Sequence, residues 1–333
     1  MHDATAMDRA IALGWTARAR AHPNPWVGAV VVGPDATSYE GATAEPGGPH
    51  AEAAALASAG VGARGATVYV TLEPCPHSGR TAPCADALIA AGVERVVVAI
   101  EDPDVRVRGR GIARLRGAGV CVEVGLRAAE VTAQLAPYLK HRATGRPWVV
   151  LKLAAGLDGR IGAPDGTSRW ITGDAARDDA HRLRAESDAV LVGAATVRAD
   201  DPALTVRRVD GRDPMRVVLG RAPEGAAVHP ALEVSGDLGD VLDDLGRRGV
   251  VQLLVEGGAR VAHAFHAAGL VDRYVFYLAP VLFGGDDARP MFAGPGAATM
   301  ADVWRGAVTG VTRLGEDLRV DLAPRQERPC SRG

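Results

Sequence analysis

Apolar residues in the first half of the chain come in short runs, and amphipathic stretches lie between them. The apolar runs, several of them rich in valine, predict buried strands at residues 27–32, 66–71, 95–100 and 120–124. The intervening stretches predict helices at residues 8–20, 53–59, 84–91 and near 111–118. This alternation indicates an α/β fold with mostly parallel strands, helices on both faces of the sheet, and ligands at the loops after the strand ends.

A second set of apolar runs begins after a polar and basic segment at residues 132–147. Strands are predicted there at residues 148–155, 189–192, 215–219, 250–255 and 274–278, with a weaker candidate at 231–234 and a closing hairpin within 311–322. Helices are predicted at residues 174–187, with Asp174 as the N-cap, at 237–246 and at 261–268. We therefore predict two domains, at residues 1–145 and 146–325.

The composition suits two such domains. With 333 residues, each domain can bury its own core. Four cysteines do not make a disulfide framework, which favours a reducing cytoplasm. The N-terminus does not resemble a signal peptide, and no run of about eighteen apolar residues could span a bilayer. We therefore expect a soluble cytoplasmic protein with no membrane partner.

Lysine is rare in this chain, although Lys and Arg together number 38. Lys140 and Lys152 are the only lysines, and Lys152 stands inside the apolar run 148–155. A buried ammonium group is costly unless it faces a cleft or an anionic partner. Lys152 is therefore a candidate functional residue.

Three residues in the first half have the side chains of a zinc site. His50 precedes a predicted helix, Cys75 follows a predicted strand, and Cys84 begins another predicted helix. Catalytic zinc sites use three protein ligands and leave one position for water, and zinc deaminases add a nearby Glu that is not a ligand. Glu52 is the candidate for that role, because some group must take the proton from the water. The pattern predicts a catalytic Zn²⁺ held by His50, Cys75 and Cys84, with Glu52 as the catalytic residue.

Other interpretations of this cluster remain open. A structural zinc would need a fourth protein ligand, for which His77 is the nearby candidate, and the cysteines could also be thiols without a metal. The eight residues between Cys75 and Cys84 exceed the two-residue spacing of most deaminases. A nucleic-acid base deaminase would use the same chemistry. The net charge of −2 argues against broad nucleic-acid binding, and the five arginines within residues 106–116 are interpreted as a solvated helix and loop.

The second half offers polar groups for a phosphorylated ligand. The predicted strand 250–255 leads through Glu256 to two glycines, where backbone N–H groups can approach a phosphate. The Gly-x-Gly-x-x-Gly fingerprint is absent, so a dinucleotide would not be held by the first turn of a Rossmann fold. Arg184 and Arg207 could clamp a phosphate monoester, although an arginine on a helix is usually solvated.

Longer motifs along the chain match a known family. They are His22-Pro23-Asn24-Pro25-x-Val27-Gly28, His50-Ala51-Glu52, Glu73-Pro74-Cys75-x-His77-x-Gly79-Arg80-Thr81-x-Pro83-Cys84, Leu157-Asp158-Gly159, Trp170-Ile171-Thr172, Thr196-Val197-x-Ala199-Asp200-Asp201-Pro202-x-Leu204-Thr205-Val206-Arg207 and Glu256-Gly257-Gly258. With these motifs the chain resembles, over most of its length, the bifunctional deaminase/reductase family of riboflavin biosynthesis. The motif from Cys75 to Cys84 is highly specific.

The resemblance implies a cytidine-deaminase-like N-terminal domain and a dihydrofolate-reductase-like C-terminal domain. The first would remove the 2-amino group of 2,5-diamino-6-ribosylamino-4(3H)-pyrimidinone 5′-phosphate, and the second would use NADPH to reduce the ribosyl side chain to ribityl. By position, the substrate contacts would be Asn24, Ser168, Arg184, Leu204, Arg207 and Glu256. The cofactor contacts would be Lys152, Ala154, Trp170, Thr196, Asp200 and Gly258. We further expect a homo-oligomer that binds this small molecule and no nucleic acid.

The sequence departs from the family pattern at two places. The family commonly has a histidine where this chain has Thr43, so one contact in the deaminase site is expected to differ. Residues 219–249 are also shorter than usual, which predicts a trimmed cofactor half of the reductase domain.

Overall fold

The computed structural model describes residues 2–77 and 82–325, and the chain divides into two compact units, Met1–Gly145 and Arg146–Gly333. The motif residues Gly79, Arg80 and Thr81 and the C-terminal Cys330 lie outside the described residues. Among the residues that are described, none of the helices combines the length and the hydropathy that a bilayer crossing requires.

The first unit is built on a five-stranded sheet. Its elements in chain order are α1 (Asp3–Ala21), β1 (Gly28–Val32), β2 (Ser38–Ala42), α2 (Ala51–Ala59), a 3₁₀ turn (Gly60–Ala63), β3 (Thr67–Leu72), α3 (Cys84–Ala90), β4 (Arg95–Ile100), α4 (Arg110–Gly117), β5 (Cys121–Val124), α5 (Ala128–Gln134) and α6 (Ala136–Thr144). The strand order is β2-β1-β3-β4-β5. Strands β3, β4 and β5 pair in parallel, as predicted, whereas β1 is antiparallel to both β2 and β3.

The central strands of this sheet are buried along almost their whole length, which requires cover on both faces. Helix α1 contacts β1, β3 and α5, whereas α2 contacts β1, β2 and α3, and α3 contacts α4. The parallel connections from β3 through α3 to β4 and from β4 through α4 to β5 bring the carboxyl ends of β3 and β4 to one edge of the sheet. The segments that follow these two strands therefore lie beside each other.

The sequence-based prediction missed several elements of the first unit. Helix α1 begins at Asp3 rather than at residue 8, and the edge strand β2 has no apolar run because its side chains are largely exposed. Helices α5 and α6 occupy part of the polar and basic segment 132–147, where no helix is predicted from the sequence. Pro137 lies in the first turn of α6, where its missing N–H costs nothing.

The second unit is built on an eight-stranded sheet. Its elements are β6 (Trp148–Gly156), β7 (Arg160–Gly162), α7 (Asp174–Ala185), β8 (Ala189–Gly193), α8 (Ala194–Asp200), β9 (Met215–Leu219), β10 (Leu232–Val234), α9 (Leu238–Arg247), β11 (Gln252–Val255), α10 (Ala259–Ala267), β12 (Arg273–Ala279), β13 (Arg289–Pro290), β14 (Gly306–Leu314) and β15 (Asp317–Pro324). The strand order is β10-β9-β8-β11-β6-β12-β15-β14. The sheet is parallel from β10 to β12, and β15 and β14 continue it antiparallel.

Alternating residues of β6 enter two separate cores of the second unit. Val149, Leu151 and Leu153 pack with apolar residues of α9 and α10, whereas Val150 packs with α7 on the other face. Successive side chains of a strand point to opposite faces, so an uninterrupted apolar strand implies cover on both.

Two predictions for the second unit were wrong in detail. The N-cap of α7 is Gly173, not Asp174, and the Asp174 carboxylate accepts hydrogen bonds from Arg177 and Arg208 instead, each at 2.6 Å. The segment after β8, for which the sequence predicts no helix, forms the short helix α8. Residues 219–249 contain the strand and the helix that were predicted there, β10 and α9, and Asp237 caps α9 by accepting from the N–H groups of Gly239 and Asp240.

Candidate functional site

The three predicted metal ligands of the first unit converge. His50 is the N-cap of α2, Cys75 follows β3, and Cys84 is the first residue of α3. The Nδ1 atom of His50 lies 3.3 Å from Sγ of Cys84 and 3.7 Å from Sγ of Cys75, and the three ligand atoms all lie within 4.8 Å of one another. Residues separated by up to 34 positions thus meet because two helices begin beside the carboxyl end of β3.

Hydrogen bonds give Cys75 thiolate character. The Cys84 thiol next to it lowers the pKa of Cys75, burial works against this shift, and His50 adds to it. The Cys84 backbone N–H also donates to the Cys75 sulfur at 3.3 Å, and the pairing with Cys75 raises the pKa of the Cys84 thiol. Two sulfurs and an imidazole nitrogen are donors that zinc prefers, and three protein ligands leave a position for water. The residues present therefore fit a catalytic zinc.

Glu52 lies in the first turn of α2 and is 4% exposed. Burial raises the pKa of its carboxyl group to about 7, so the group can both accept and donate a proton near neutral pH. Within the described residues the ligand cluster has three members, and neither Glu52 nor the exposed His77 is among them. The arrangement favours an open hydrolytic site over a closed structural one.

A cavity of about 150 Å³ opens beside this cluster. Asn24, a predicted substrate contact, lines it from the loop between α1 and β1. Another wall of the cavity comes from the segment after β4, including Asp102, Asp104 and Arg106, which the sequence-based prediction missed. Their position after a parallel strand was the signal that could have found them.

Polar side chains on the wall that follows β4 form hydrogen bonds with one another and with α6. The Tyr138 hydroxyl donates to both oxygens of Asp102, at 2.9 and 3.1 Å, and burial raises the pKa of Asp102. Asp104 accepts from the guanidinium of Arg106 at 2.6 and 3.0 Å. Tyr138 and Arg142 reach the cavity from α6, and nothing local in the sequence marks them. The wall is therefore a fixed polar surface.

Thr43, the departure from the family pattern, is buried in the same cavity. Its hydroxyl accepts from the N–H of Val27 at 3.0 Å and donates to the carbonyl of Pro25 at 3.0 Å. Its backbone N–H donates to the carbonyl of Val27. Thr43 therefore fixes the chain just after Asn24.

In the second unit, three predicted site residues form one buried ionic group. Both oxygens of Glu256 accept from the Arg184 guanidinium, at 2.6 and 2.9 Å, and Nζ of Lys152 lies 3.9 Å from Glu256. The register explains the meeting, because β11 and β6 pair with Val255 opposite Leu151, which puts the next residues side by side. Arg184 is predicted to bind a phosphate, but its guanidinium already has the Glu256 carboxylate as a partner.

The charged side chains of this group shift one another's pKa values. Burial acts to raise the pKa of Glu256, but Arg184 and Lys152 overcome it and lower this pKa to about 2. Burial lowers the pKa of Lys152, and Glu256 opposes that shift. The pKa of the neighbouring His181 falls to about 4, first through burial and then through Arg184 and Arg207. Burial and the nearby arginines thus disfavour the imidazolium form of His181, whereas Glu256 favours it.

Tyr277 is a member of this group that the sequence reasoning missed. Nζ of Lys152 lies 5.6 Å from the centre of its ring, within the range of a cation–π contact. The Tyr277 hydroxyl donates to Asp179 at 2.7 Å, and Arg319 donates to the same carboxylate at 2.6 Å. Ala154, a predicted cofactor contact, pairs with Tyr277 across β6 and β12.

The other predicted cofactor and substrate residues form two further groups. Gly258, the N-cap of α10, donates its N–H to the Thr196 hydroxyl at 3.3 Å. Arg169 donates to the carbonyl of Asp200, the last residue of α8. Leu204 is buried nearby in the core that contains α7, with a positive φ of 54°.

Ser168 and Trp170 line a second cavity, of about 260 Å³, together with residues 281–283, which follow β12. The Trp170 ring is 66% exposed and has the guanidinium of Arg177 at 4.5 Å from its centre. An exposed aromatic ring beside a cavity can stack on a planar ligand. Residues 281–283 are apolar, and nothing in their sequence pattern distinguished them from a strand end.

Two family models match the chain. The model "Cytidine and deoxycytidylate deaminase zinc-binding region" matches residues 1–100, and the model "RibD C-terminal domain" matches residues 147–320.

Known proteins resemble the chain over nearly its whole length. It is 39% identical to the riboflavin biosynthesis protein RibD of Escherichia coli (strain K12), with 97% of this chain and 99% of that protein covered. The structure of Acinetobacter baumannii RibD, form 1, superposes with a TM-score of 0.91 at 39% identity, with coverage of 97% and 99%. The structure of a diaminohydroxyphosphoribosylaminopyrimidine deaminase/5-amino-6-(5-phosphoribosylamino)uracil reductase from Thermotoga maritima superposes with a TM-score of 0.87 at 34% identity and the same coverage.

Proposed function

The chain belongs to the RibD family, the bifunctional deaminases and reductases of riboflavin biosynthesis, and from that premise we propose the substrates, cofactor and residues of its two reactions. The family, the fold class and the two enzyme activities that the sequence predicted are confirmed. The proposed substrate of the deaminase is 2,5-diamino-6-ribosylamino-4(3H)-pyrimidinone 5′-phosphate. The proposed reductase step converts the ribosyl side chain of the deaminated product to ribityl with NADPH.

For deamination, the observation that carries the proposal is the three-ligand cluster with a buried carboxyl group beside it. His50, Cys75 and Cys84 would hold the zinc, which when bound supplies a Lewis acid for activating water. Glu52 takes up a proton at its carboxylate and returns it to the departing amino group, since its pKa permits both. Asn24 and the wall that includes Asp102 orient the pyrimidine in the cavity.

For reduction, the family model of the second unit implies a nicotinamide cofactor, and we propose NADPH. Trp170, Thr196, Asp200, Gly258, Ala154 and Lys152 would contact it. Ser168, Leu204, Glu256 and Arg207 would contact the substrate. Arg184 would hold Glu256 in place, since both of its carboxylate oxygens are engaged by that guanidinium. The phosphate would then depend mainly on Arg207.

We propose that the deaminase and reductase domains span residues 1–145 and 146–325, which agrees with the division of the chain into two units. The expected partners are small molecules and a second copy of the chain in a homo-oligomer. Cys75 and Cys84 would bind a metal, and Cys121 is a free thiol, so none of these three cysteines forms a disulfide. We propose a cytoplasmic location because free thiols are typical of a reducing compartment.

Two assays in parallel test the overall proposal. Ammonia release is expected from the pyrimidine ribosyl phosphate, and NADPH oxidation is expected when its deaminated product is supplied. No ammonia release is expected from single-stranded DNA or from tRNA. Ammonia from a nucleic acid alone would reject the proposed substrate class in favour of a nucleic-acid base deaminase.

Replacing Lys152 by methionine is expected to keep the fold and to lower the rate of reduction by about tenfold to a hundredfold. Methionine has an aliphatic length similar to that of lysine, but it lacks the ammonium group, whose charged contact is worth about 1.5–3 kcal/mol. The rates of NADPH oxidation and of ammonia release would be measured on the same sample. Lys140→Met, at the other lysine, is the matched control. Equal loss of both activities in Lys152→Met would indicate misfolding and would contradict the assignment.

Replacing Arg207 by alanine is expected to raise the KM of the reductase for its phosphorylated substrate by about tenfold to a hundredfold, through loss of one charge-assisted contact. Arg207 is exposed, and in the described part of the chain its guanidinium has no carboxylate partner. Arg208→Ala is the control, because that neighbouring guanidinium is already paired with Asp174 and Asp178. An unchanged KM in Arg207→Ala would remove this residue from the phosphate site.

A further inference from the structure

Glu73 has no proposed part in the deamination chemistry, although it stands just before the highly specific motif from Cys75 to Cys84. It follows β3, lies two residues before Cys75, and is 4% exposed. Its carboxylate accepts hydrogen bonds from four backbone N–H groups. Among the described residues it has no cationic partner, so backbone dipoles alone compensate its burial.

The four donors come from the two ends of one segment. Oε2 accepts from the N–H of Asp102 at 3.2 Å and from that of Gly109 at 2.9 Å. Oε1 accepts from the N–H groups of Gly111 and Ile112, at 2.9 and 3.2 Å, in the first turn of α4. A single carboxylate therefore closes the loop of residues 102–109 and caps the helix that follows it.

The closed loop is the wall of the deaminase cavity. Asp102, Asp104, Arg106 and Val107 all line that cavity, and all lie within the segment from Asp102 to Gly109, whose two end residues donate to Glu73. Among the residues that the structure describes, the wall pairs with no strand, since it lies between the end of β4 at Ile100 and the start of α4 at Arg110. Glu73 therefore holds both ends of the wall, and the Tyr138 hydroxyl adds a contact at Asp102.

A close approach at Gly111 supports the same conclusion from different atoms. A Cβ atom added at Gly111 would lie 1.9 Å from the carbonyl oxygen of Pro74, the residue between Glu73 and Cys75. The start of α4 thus packs directly against the backbone that leads to a metal ligand. Only glycine permits this distance.

We propose that Glu73 is a positioning residue of the deaminase, which fixes the substrate-binding wall at residues 102–109 relative to the metal-ligand segment that contains Cys75. This inference rests on the proposed deaminase function of the first unit. The role requires a carboxylate rather than an amide, because each oxygen accepts from two N–H groups. In glutamine one oxygen becomes an NH₂ donor, and either orientation of the amide sets that donor against two other donors.

The test uses the zinc-loaded full chain and the variant Glu73→Gln. The KM for the pyrimidine substrate is expected to rise by about tenfold or more while kcat changes by less than about threefold, since a displaced wall weakens ground-state and transition-state binding alike. Zinc content and NADPH oxidation are expected to stay at wild-type values. Met7→Ala, which opens a cavity under α1, is the control for lost stability and is expected to leave KM unchanged. An unchanged KM in Glu73→Gln, or an equal rise in Met7→Ala, would overturn the proposal.

Two further measurements keep the test decisive if Glu73→Gln folds poorly. Gly111→Ala displaces the same wall through Pro74 and is expected to raise KM in the same way with zinc retained. In the wild-type protein, the amides of Gly109, Gly111 and Ile112 are expected to exchange with solvent more slowly than those of an open loop by about tenfold or more. Exchange of these amides at the open-loop rate would refute the role of Glu73 whether or not the chain deaminates the proposed substrate. A wild-type chain with protected amides but no deaminase activity would instead refute the proposed function.

Discussion

Glu52→Gln is expected to lower the rate of deamination by about 10²–10⁴-fold, the range ascribed to general acid–base catalysis, while zinc stays bound at full stoichiometry. The three ligand atoms do not include Glu52, and glutamine has the same size. The amide can no longer take up and return the proton. Reduction in the second unit is expected to be unaffected.

Cys75→Ser is expected to lose zinc as well as deaminase activity. A serine hydroxyl replaces the thiolate whose low pKa is set by Cys84 and His50, so the soft donor is gone. Stability is also expected to fall, because metal-binding energy contributes to folding energy. The contrast between the two variants separates metal binding from proton transfer.

Zinc per chain and ammonia release would be measured for wild type, both variants and Glu45→Gln, an exposed control. If Glu52→Gln lost zinc as Cys75→Ser does, Glu52 would be a ligand and the open water site would be wrong. If it kept both zinc and activity, another group would carry the proton.

The convergence of His50, Cys75 and Cys84 was predictable because these residues stand at the ends of elements that the apolar pattern marks well. Cys75 follows a buried strand, and His50 and Cys84 lie where helices begin. Those boundaries depend on local periodicity and on proline, both visible in the sequence. The wall of the cavity at residues 102–109 depends on a loop held by long-range hydrogen bonds, such as that from Asp102 to Glu73, and no local pattern encodes it.

The fold was predictable where a local apolar pattern marks the element, and not where distant contacts stabilise it. Apolar strands such as β4 and β8 emerged at nearly their true bounds, since burial on both faces leaves an unbroken apolar run. Some elements were not predicted, because pairing or packing with distant parts of the chain stabilises them. They are the edge strand β2, the short strands β7 and β13, and helix α6. The ion pair of Arg184 shows the same limit, since its partner Glu256 is 72 residues away in the sequence.

Arg184→Met is expected to lower the free energy of unfolding of the second unit by about 3–5 kcal/mol, the usual cost of breaking a buried ion pair from one side. The variant leaves Glu256 buried, with Lys152 at 3.9 Å as its remaining cation. Hydrogen exchange of the amides of β6 and β11, which flank the pair, would report the opening free energy of this unit. Arg208→Met is the control, since its ion pairs lie at the surface and are worth about 1 kcal/mol or less.

The pH dependence of this loss distinguishes pairing from packing. In the wild type, burial acts to raise the pKa of Glu256 but Arg184 holds it at about 2, below the ordinary value of 4.5. The pair therefore stabilises the fold fully above pH 4.5 and loses its effect as the pH falls toward 2. In Arg184→Met the pKa of Glu256 rises, so its unpaired charge destabilises the fold at pH 7 and protonation relieves this as the pH falls. The difference in stability between wild type and variant is thus expected to be largest at pH 7 and to shrink in acid, and Arg184→Met/Glu256→Gln is expected to recover most of it at pH 7. A difference that stays constant with pH, with no recovery in the double variant, would mean that Arg184 stabilises the unit by packing alone.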